Sequence, residues 1–488
     1  MIPVRRPRIN FKDFSSKAMQ ENFACLLESN AHRFGDKTAL VWEDGSLTWM
    51  ELERRASGFA RVLAEQGVRP GDRVALLIPN RWTFLVALLG ILKLGATAAP
   101  LTPQLQREEL ADILGDLRAK LVIDGVDEVK EEDVWVTPRL TSFPALIVYT
   151  SGSTGRPKGA VFSHRALAFA NHSWGGSVMG LTPQDVVLGV LPFDHNFGMN
   201  GGLLAPLLLG ATVALVERFT PEAVLDAIKR HRVTVFPGVA TMFRRLLGSP
   251  AFANADLSSL QLAVAGAAPC PWELLKEWHD RTGSRILRGY GMTEIPRPIS
   301  YFRDDPTDFP DVVGRAVPGV EIRVVDDAGR SLPEEEVGEL WIKCPGATDG
   351  YLEAPEETQA VLANGWFKTG DLASVSQEGF VRIAGRKRER ILRGGFSVFP
   401  QEVEAVLLSH PAVAEAAVVA VPSDDLGEDV TAFVTLKPMA QTTVEELIGH
   451  CKEQLAHYKF PRRVTILDQL PKGPMGKILK AELIKRQL

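Results

Sequence analysis

The apolar run Ala145-Leu146-Ile147-Val148 leads directly into Tyr149-Thr150-Ser151-Gly152-Ser153-Thr154-Gly155-Arg156-Pro157-Lys158-Gly159. A buried strand followed by such a segment constrains what comes next. Glycine lets backbone N–H groups approach an anion, Ser and Thr add donors, and Lys158 adds a full positive charge. The segment therefore has the chemistry of an anion nest able to wrap a polyphosphate. It is not a Gly-x-x-x-x-Gly-Lys-Ser/Thr loop, because its lysine follows proline and precedes Gly159 and Ala160. A Ser/Gly-rich linker is the ordinary alternative. The flanking strand and the Pro-Lys-Gly ending favour phosphate.

Around this segment, apolar strands alternate with amphipathic helices. Asp72 to Ile78 reads as a buried strand, Arg81 to Leu94 as a helix, and Gly95 to Pro100 as a strand and turn. The rhythm returns at Val186–Val190, Thr212–Val216, the helix Pro221–His231, Val233–Phe236 and Leu260–Ala265. Continuous apolar strands separated by helices predict mostly parallel sheets covered on both faces. From about Asp311 the texture changes to short strands and turns, as in Val320–Val325 and Gly338–Lys343, which predicts a β-rich subdomain over 311–387. After the basic connector Gly385-Arg386-Lys387-Arg388-Glu389-Arg390, Pro400 opens a helix, and strands are expected at Ala416–Val421 and Val430–Leu436. The fold class is α/β: a large domain of stacked sheets over 1–387, then a small α+β domain over 388–488.

With 488 residues, 45% hydrophobic and 24% charged, the chain has room for more than one core and the balance of a soluble globular protein. A formal net charge of -5 argues against a nucleic-acid or membrane-surface binder. Cys25, Cys270, Cys344 and Cys451 are widely separated, which suggests neither a zinc site nor a disulfide framework and fits a reducing cytoplasm. The apolar stretch Phe84 to Leu92 ends at Lys93 and is too short to span a bilayer, so it reads as a buried helix. No secretory signal follows Arg5-Arg6.

Further motifs follow in order: Gly289-Tyr290-Gly291-Met292-Thr293-Glu294, Gly365-Trp366-Phe367-Lys368-Thr369-Gly370-Asp371, Gly385-Arg386 before the connector, and Gly476-Lys477 near the C-terminus. Ring, hydroxyl, carboxylates and lysine together meet the needs of a nucleotide. In this order, and over almost the whole chain, they resemble the ANL superfamily of adenylate-forming enzymes, and within it the acyl- and aryl-CoA synthetases. The resemblance implies an AMP-forming acid–thiol ligase using ATP, Mg²⁺ and CoA. A carboxylic acid would be joined to the α-phosphate of ATP with loss of pyrophosphate, and the acyl group then passed to a thiol with release of AMP.

Residue by residue, the resemblance implies that Thr150, Ser151, Gly152, Ser153, Thr154, Gly155 and Lys158 hold the β- and γ-phosphates. Tyr290 and Gly291 would lie by adenine, and Thr293 by the α-phosphate. Glu294 would ligate Mg²⁺, a hard cation suited to carboxylate and phosphate oxygens. Asp371 and Arg386 would reach the ribose, and Lys477 the reacting carboxylate and α-phosphate. The small domain would rotate between the half-reactions about Arg388, a position usually Asp or Lys in the family. Gly394 and Gly395 would line the pantetheine passage.

For the acid, His195 in Pro192-Phe193-Asp194-His195-Asn196-Phe197-Gly198 matches a pocket-lining position near the carboxylate, with Trp174, Val239, Gly266, Ala267, Leu287 and Gly289 as further pocket positions. Gly266 and Gly289 are expected to leave room for an acyl or aryl group. Asp194 departs from the hydrophobic residue common in relatives. Arg288 and Arg297 flank the Tyr-Gly-Met-Thr-Glu motif and could read a second carboxylate, although pairing with surface acids is the ordinary role. The acceptor thiol is CoA, or alternatively a carrier-protein phosphopantetheine. Luciferase-type oxidation and a non-catalytic nucleotide binder are weaker alternatives. Which acid is used and whether the enzyme is a homodimer are not legible here.

Overall fold

The computed structural model describes residues 21–126, 137, 142–150, 157–305, 309–393, 396–423, 425–472 and 478–485. It divides into two compact units. One runs through Ile322 and takes in Ile342–Phe367; the other comprises Arg323–Trp341 and the chain from Lys368 onward.

Two sheets lie wholly within the first unit. The larger has strand order Arg285–Leu287, Leu262–Ala265, Val235–Gly238, Val186–Gly189, Thr212–Leu215, Thr38–Trp42 and Gly45–Thr48, and only the last pairing is antiparallel. The other has order Gly350–Tyr351, Lys158–Phe162, Leu146–Thr150, Thr97–Pro100, Arg73–Leu76 and Leu121–Ile123, with its central strands parallel. The expected strand–helix alternation is thus present, and helix Pro221–His231 has the expected bounds.

The β-rich texture expected from about Asp311 is present as the short strands Gly314–Ala316, Glu321–Val325, Gly338–Lys343, Gly350–Tyr351 and Leu362–Ala363 and the longer Trp366–Val375 and Phe380–Arg386. Gly350–Tyr351 pairs antiparallel with Lys158–Phe162, and Thr348 Oγ1 donates to Val161 O at 2.7 Å, which draws this segment into the first unit. In the second unit a five-stranded sheet runs Phe396–Val398, Ile391–Arg393, Gly427–Leu436, Val413–Ser423, with Arg463–Ile466 parallel to Gly427–Leu436. Helix Pro400–Ser409 packs Val403 and Leu407 into its core, the face expected from the sequence. The two long strands of this hairpin reach further than their apolar runs, because the ladder continues through Pro422↔Glu428 and Ser423↔Gly427.

Helix Trp82–Leu94 lies at the centre of the first unit's main core. Every residue from Phe84 to Leu94 is buried. At about 1.5–3 kcal/mol for each large apolar side chain buried, this helix is a principal source of stability. Its length and the charges around it do not suit a bilayer, and among the described residues no helix is long and apolar enough to cross a membrane.

Lys93, which ends the apolar run, is not a solvated terminus. Its ammonium lies 2.5 Å from Glu53 and 3.1 Å from Glu28, and donates to Thr137 Oγ1 at 3.1 Å. Glu53 is itself buried, on helix Trp49–Glu65, and Glu28 is on helix Phe23–Phe34. One cation therefore ties three helices together. Removing one partner of a buried ion pair costs about 3–5 kcal/mol, whereas replacing both by apolar groups is often nearly neutral. Lys93→Met is accordingly expected to lower unfolding free energy by about that amount, and adding Glu53→Leu to recover most of it, in chemical denaturation.

His164 gives the fold a pH dependence. Its Nδ1 accepts the Phe23 N–H at 3.0 Å, which requires the neutral ring, and burial pushes its pKa down to about 4; burial does the same to His172. The unfolded chain takes up these protons below about pH 6.5. Their contribution is therefore complete above that value and is lost as pH falls towards 4, where the folded state also protonates. Melting temperature is expected to fall across this window, and His164→Gln, whose amide oxygen can still accept from Phe23, is expected to shallow the slope.

Candidate functional site

Several expected site residues stand at the carboxyl edge of the larger sheet. Strand Val186–Gly189 is followed by the segment carrying His195, Val235–Gly238 by Val239, Leu262–Ala265 by Gly266 and Ala267, and Arg285–Leu287 by Arg288 and Gly289. These strands are adjacent and parallel, with Gly238 opposite Ala265 and Val264 opposite Leu287. Open α/β sheets bind ligands at this edge, where all the connecting loops emerge together.

On the polyphosphate side, strands Leu146–Thr150 and Lys158–Phe162 pair antiparallel with Thr150 opposite Lys158. Ser151, Gly152, Ser153, Thr154 and Gly155 lie outside the described residues, between these two strand ends. Lys158 Nζ sits 5.6 Å from the centre of the Tyr351 ring and 3.9 Å from Glu357 Oε1. Tyr149, which opens the motif, donates to Asp116 Oδ2 at 2.6 Å.

Tyr290 and Gly291 belong to strand Gly289–Met292, which forms a hairpin with Ile295–Ser300; Thr293 and Glu294 make its turn. Glu294 Oε1 accepts the Tyr351 hydroxyl at 2.7 Å, and its carbonyl accepts the Thr348 N–H at 2.8 Å. Burial, then the Glu294 charge, pushes the Tyr351 pKa well up, so the phenol stays a donor. Tyr351 therefore joins Lys158 to Glu294, a role the sequence reading missed. Its signal was the polar run Thr348-Asp349-Gly350-Tyr351 amid short strands.

The second oxygen of Glu294 accepts no hydrogen bond among the described residues, nor is there any cluster of three metal-ligating side chains. One partly engaged carboxylate suits Mg²⁺, which usually takes one or two protein carboxylates and completes its shell with phosphate oxygens and water. Glu294 thus fits the metal that the motif implied.

On the acid side, Trp174 stacks on Phe197 with ring centres 5.3 Å apart. The rooms expected at the two pocket glycines are filled by this chain's own side chains. A Cβ on Gly266 would lie 2.9 Å from the Phe197 ring, and one on Gly289 2.6 Å from Arg297 Cζ. Leu287 is buried, Val239 is half-buried, and Ala267 is exposed with φ +63°. Burial pulls the His195 pKa down while the Asp194 charge opposes it, and burial pushes Asp194 up. The Thr102 side chain opposes that upward shift at Asp194, which is half-buried.

Beside them Asn196 donates to Thr293 O at 2.6 Å and Asn200 donates back to Asn196 O at 3.0 Å, with Asn171 bonded to Asn200 Oδ1 at 2.7 Å. This buried amide chain holds the Thr293–Glu294 turn. Neither flanking arginine pairs with a surface acid among the described residues. Arg288 donates to the carbonyls of Phe309 and Pro310, and Arg297 to Ser300 Oγ, Ala265 O and Leu287 O.

In the second unit Asp371 and Arg386 are register partners across an antiparallel pair, with Arg386 Nε 2.6 Å from Asp371 Oδ1. Asp371 is buried. Arg388 is exposed in the short 3₁₀ turn Lys387–Glu389, between Lys387, which pairs with Asp327 and Glu339, and Glu389, which pairs with Lys480. Gly394, Gly395 and Lys477 lie outside the described residues; Lys472 and Ile478, on either side of the last, pair with each other.

Tyr351→Phe removes the hydroxyl that engages Glu294 and keeps the ring beside Lys158. A hydrogen bond to a charged group contributes about 1.5–3 kcal/mol to stability, so unfolding free energy in chemical denaturation is expected to fall by about that amount, and Mg·ATP affinity measured by calorimetry to weaken as the Glu294 carboxylate loses its orientation.

Residues 27–142 and 136–352 match the family described as AMP-binding enzyme, and residues 402–477 match the AMP-binding enzyme C-terminal domain. A 3-[(3aS,4S,7aS)-7a-methyl-1,5-dioxo-octahydro-1H-inden-4-yl]propanoyl:CoA ligase of Mycobacterium tuberculosis is 35% identical, over 94% of this chain and 97% of its own. A feruloyl-CoA synthase of Amycolatopsis is also 35% identical, over 92% and 96%. ATP-bound MatB from Rhodopseudomonas palustris superposes with a TM-score of 0.87 at 30% identity, covering 95% of this chain and 98% of that one. With both domain models matched and these similarities spanning almost its full length, the chain belongs to the AMP-binding enzyme family, within the ANL superfamily of adenylate-forming enzymes.

Proposed function

We propose that this protein is an AMP-forming acid–CoA ligase. The observation that carries the reading is the Lys158–Tyr351–Glu294 assembly, which brings a phosphate-motif cation and a metal-suited carboxylate together in the unit that also holds the acid-side residues. In the first half-reaction a carboxylate oxygen attacks the α-phosphorus of ATP. The bond to the bridging oxygen breaks and pyrophosphate leaves. In the second, a thiolate attacks the acyl carbon, the bond to the AMP oxygen breaks, and AMP leaves, the thiol proton passing to solvent. A carboxylate alone is a poor acyl donor because oxide would have to depart; AMP departs readily.

Such transfers are helped chiefly by positioning and charge neutralisation. Lys158 would balance charge on the β- and γ-phosphates. Asn196 fixes the Thr293 carbonyl, and so the turn whose Thr293 is assigned to the α-phosphate. Glu294 would hold Mg²⁺, which when bound neutralises phosphate charge. On the other unit, the buried Asp371 and its partner Arg386 are assigned to the ribose. Lys477 is assigned to the reacting carboxylate and α-phosphate. Residues 388–488 would form the mobile domain, turning at Arg388, whose exposure suits a residue that changes conformation in solvent. We place the enzyme in the cytoplasm, where Cys25, Cys270, Cys344 and Cys451, all free, would stay reduced.

CoA is the acceptor named for the curated relatives, and a carrier-protein thiol would react by the same chemistry. The acids in the relatives' names range from a dioxo-hydrindane propanoate and feruloyl to long-chain fatty acids, so the choice among them rests on this chain's own pocket.

Pyrophosphate release from Mg·ATP, measured against aliphatic, aromatic and dicarboxylic acids with and without CoA, tests the reading. Acid-dependent release that rises with CoA and yields an acyl-CoA by mass supports it; adenylate without CoA product moves the acceptor to a carrier protein. Lys477→Ala is expected to lose nearly all adenylate formation while calorimetry shows ATP binding largely kept. Undiminished adenylation in that variant would remove Lys477 from the chemistry.

A further inference from the structure

Arg297 is a buried cation of an unusual kind for this molecule, 5% exposed and in left-handed backbone at φ +44°. Its guanidinium occupies the space over Gly289, where a Cβ would lie 2.6 Å from Cζ. Nε donates to Ser300 Oγ at 2.9 Å, Nη1 to Ala265 O at 2.8 Å and Nη2 to Leu287 O at 3.2 Å. Each terminal nitrogen keeps a further N–H. Cζ is 5.3 Å from the centre of the Trp174 ring, and the buried Trp174 Nε1 has no hydrogen-bond partner. Arg297 thus stands among Trp174, Leu287 and Gly289, three of the pocket positions, and bonds the carbonyl just before a fourth, Gly266.

No carboxylate pairs with it among the described residues. Burial alone pushes its pKa down, to about 9, which still leaves it cationic at neutral pH. The protein treats most of its other buried charges differently: Lys93 is matched by Glu53, Arg393 by Asp429, and Asp371 by Arg386. Arg288, which has no acidic partner among the described residues, bonds the Phe309 and Pro310 carbonyls and lies over the rings of Trp272 and Tyr301. A buried charge without a counter-charge is costly. An apolar tail entering beside Arg297 would remove what water remains and give nothing back, whereas an anionic oxygen would supply the missing charge and accept the spare N–H groups.

We propose that Arg297 is the specificity-determining residue of the acid pocket, receiving a second carboxylate at the far end of the substrate, so that the enzyme activates dicarboxylic acids in preference to fatty acids with apolar tails. The proposal rests on the acid–CoA ligase reading above.

The test compares kcat/KM for matched acids: hexanoate with adipate, octanoate with suberate, and 3-phenylpropanoate with its para-carboxy counterpart. The wild-type enzyme is expected to favour the dicarboxylate of each pair by at least about tenfold. Sites built around a polar partner discriminate at least this strongly, because the analogue lacking the group leaves buried donors unmatched. Arg297→Met is expected to lose about a hundredfold on dicarboxylates, mainly in KM, while monocarboxylates are unchanged or improved; Arg297→Lys, which keeps the charge, is expected to recover part of the loss. Wild-type preference for the monocarboxylates overturns the proposal, whether or not either variant folds. So does a parallel loss on both acids in an Arg297→Met protein of normal melting temperature, which would mark a structural role. Absence of acid-dependent pyrophosphate release from every acid, with or without the second carboxylate, overturns the ligase reading and this assignment with it. Release from monocarboxylates alone overturns only the assignment.

Discussion

Parallel strands cannot be joined by tight turns, so each connection in the larger sheet must cross back over a face before the next strand begins. That constraint sends Val186–Gly189, Val235–Gly238, Leu262–Ala265 and Arg285–Leu287 in one direction and delivers the residues after each to one edge. His195, Val239, Gly266 and Gly289 come from positions far apart in sequence, yet they share that edge because strand direction leaves them nowhere else. The smaller sheet positions the ends of the proposed phosphate segment through a different device. There an antiparallel pair sets Thr150 opposite Lys158, and the added strand Gly350–Tyr351 brings Tyr351 within reach of both Lys158 and Glu294.

Buried charge is handled in three ways, and the differences separate structure from function. Lys93 is answered by Glu53 and Glu28, which lie on two other helices, and this makes it a tie between helices. Arg288 is satisfied by two carbonyls and two aromatic faces. Arg297 has carbonyl partners but, among the described residues, no counter-charge, and it stands beside the glycine whose missing side chain gives it space. A cation supported in place but not neutralised is suited to a ligand that brings the opposite charge.

Much of the fold was legible because it depends on local periodicity. The apolar runs at 72–78, 186–190 and 212–216 and the helix at Pro221–His231 follow from alternation and turn residues that a few neighbours decide. The division of the β-rich segment between two units was not legible. It turns on Gly350–Tyr351 pairing with a strand almost two hundred residues earlier, and nothing within the segment encodes that partner. The same limit hid Tyr351 beside Glu294, the Asn171–Asn200–Asn196 chain beneath Thr293, and the burial of Lys93, which reads in sequence as the polar end of a helix.

The sequence by itself determined the family: the phosphate segment, the Tyr-Gly-Met-Thr-Glu turn, Asp371, Arg386 and Lys477, in that order, carry the resemblance to adenylate-forming enzymes, because such motifs are written in neighbouring residues whatever the packing. Only the tertiary structure decided what fills the spaces that glycine opens. Gly266 and Gly289 read as room for substrate, yet Phe197 occupies one and Arg297 the other. A missing side chain fixes only that a volume exists; which group enters it depends on the direction of side chains from other strands, and those directions are set by packing rather than by neighbours in the chain.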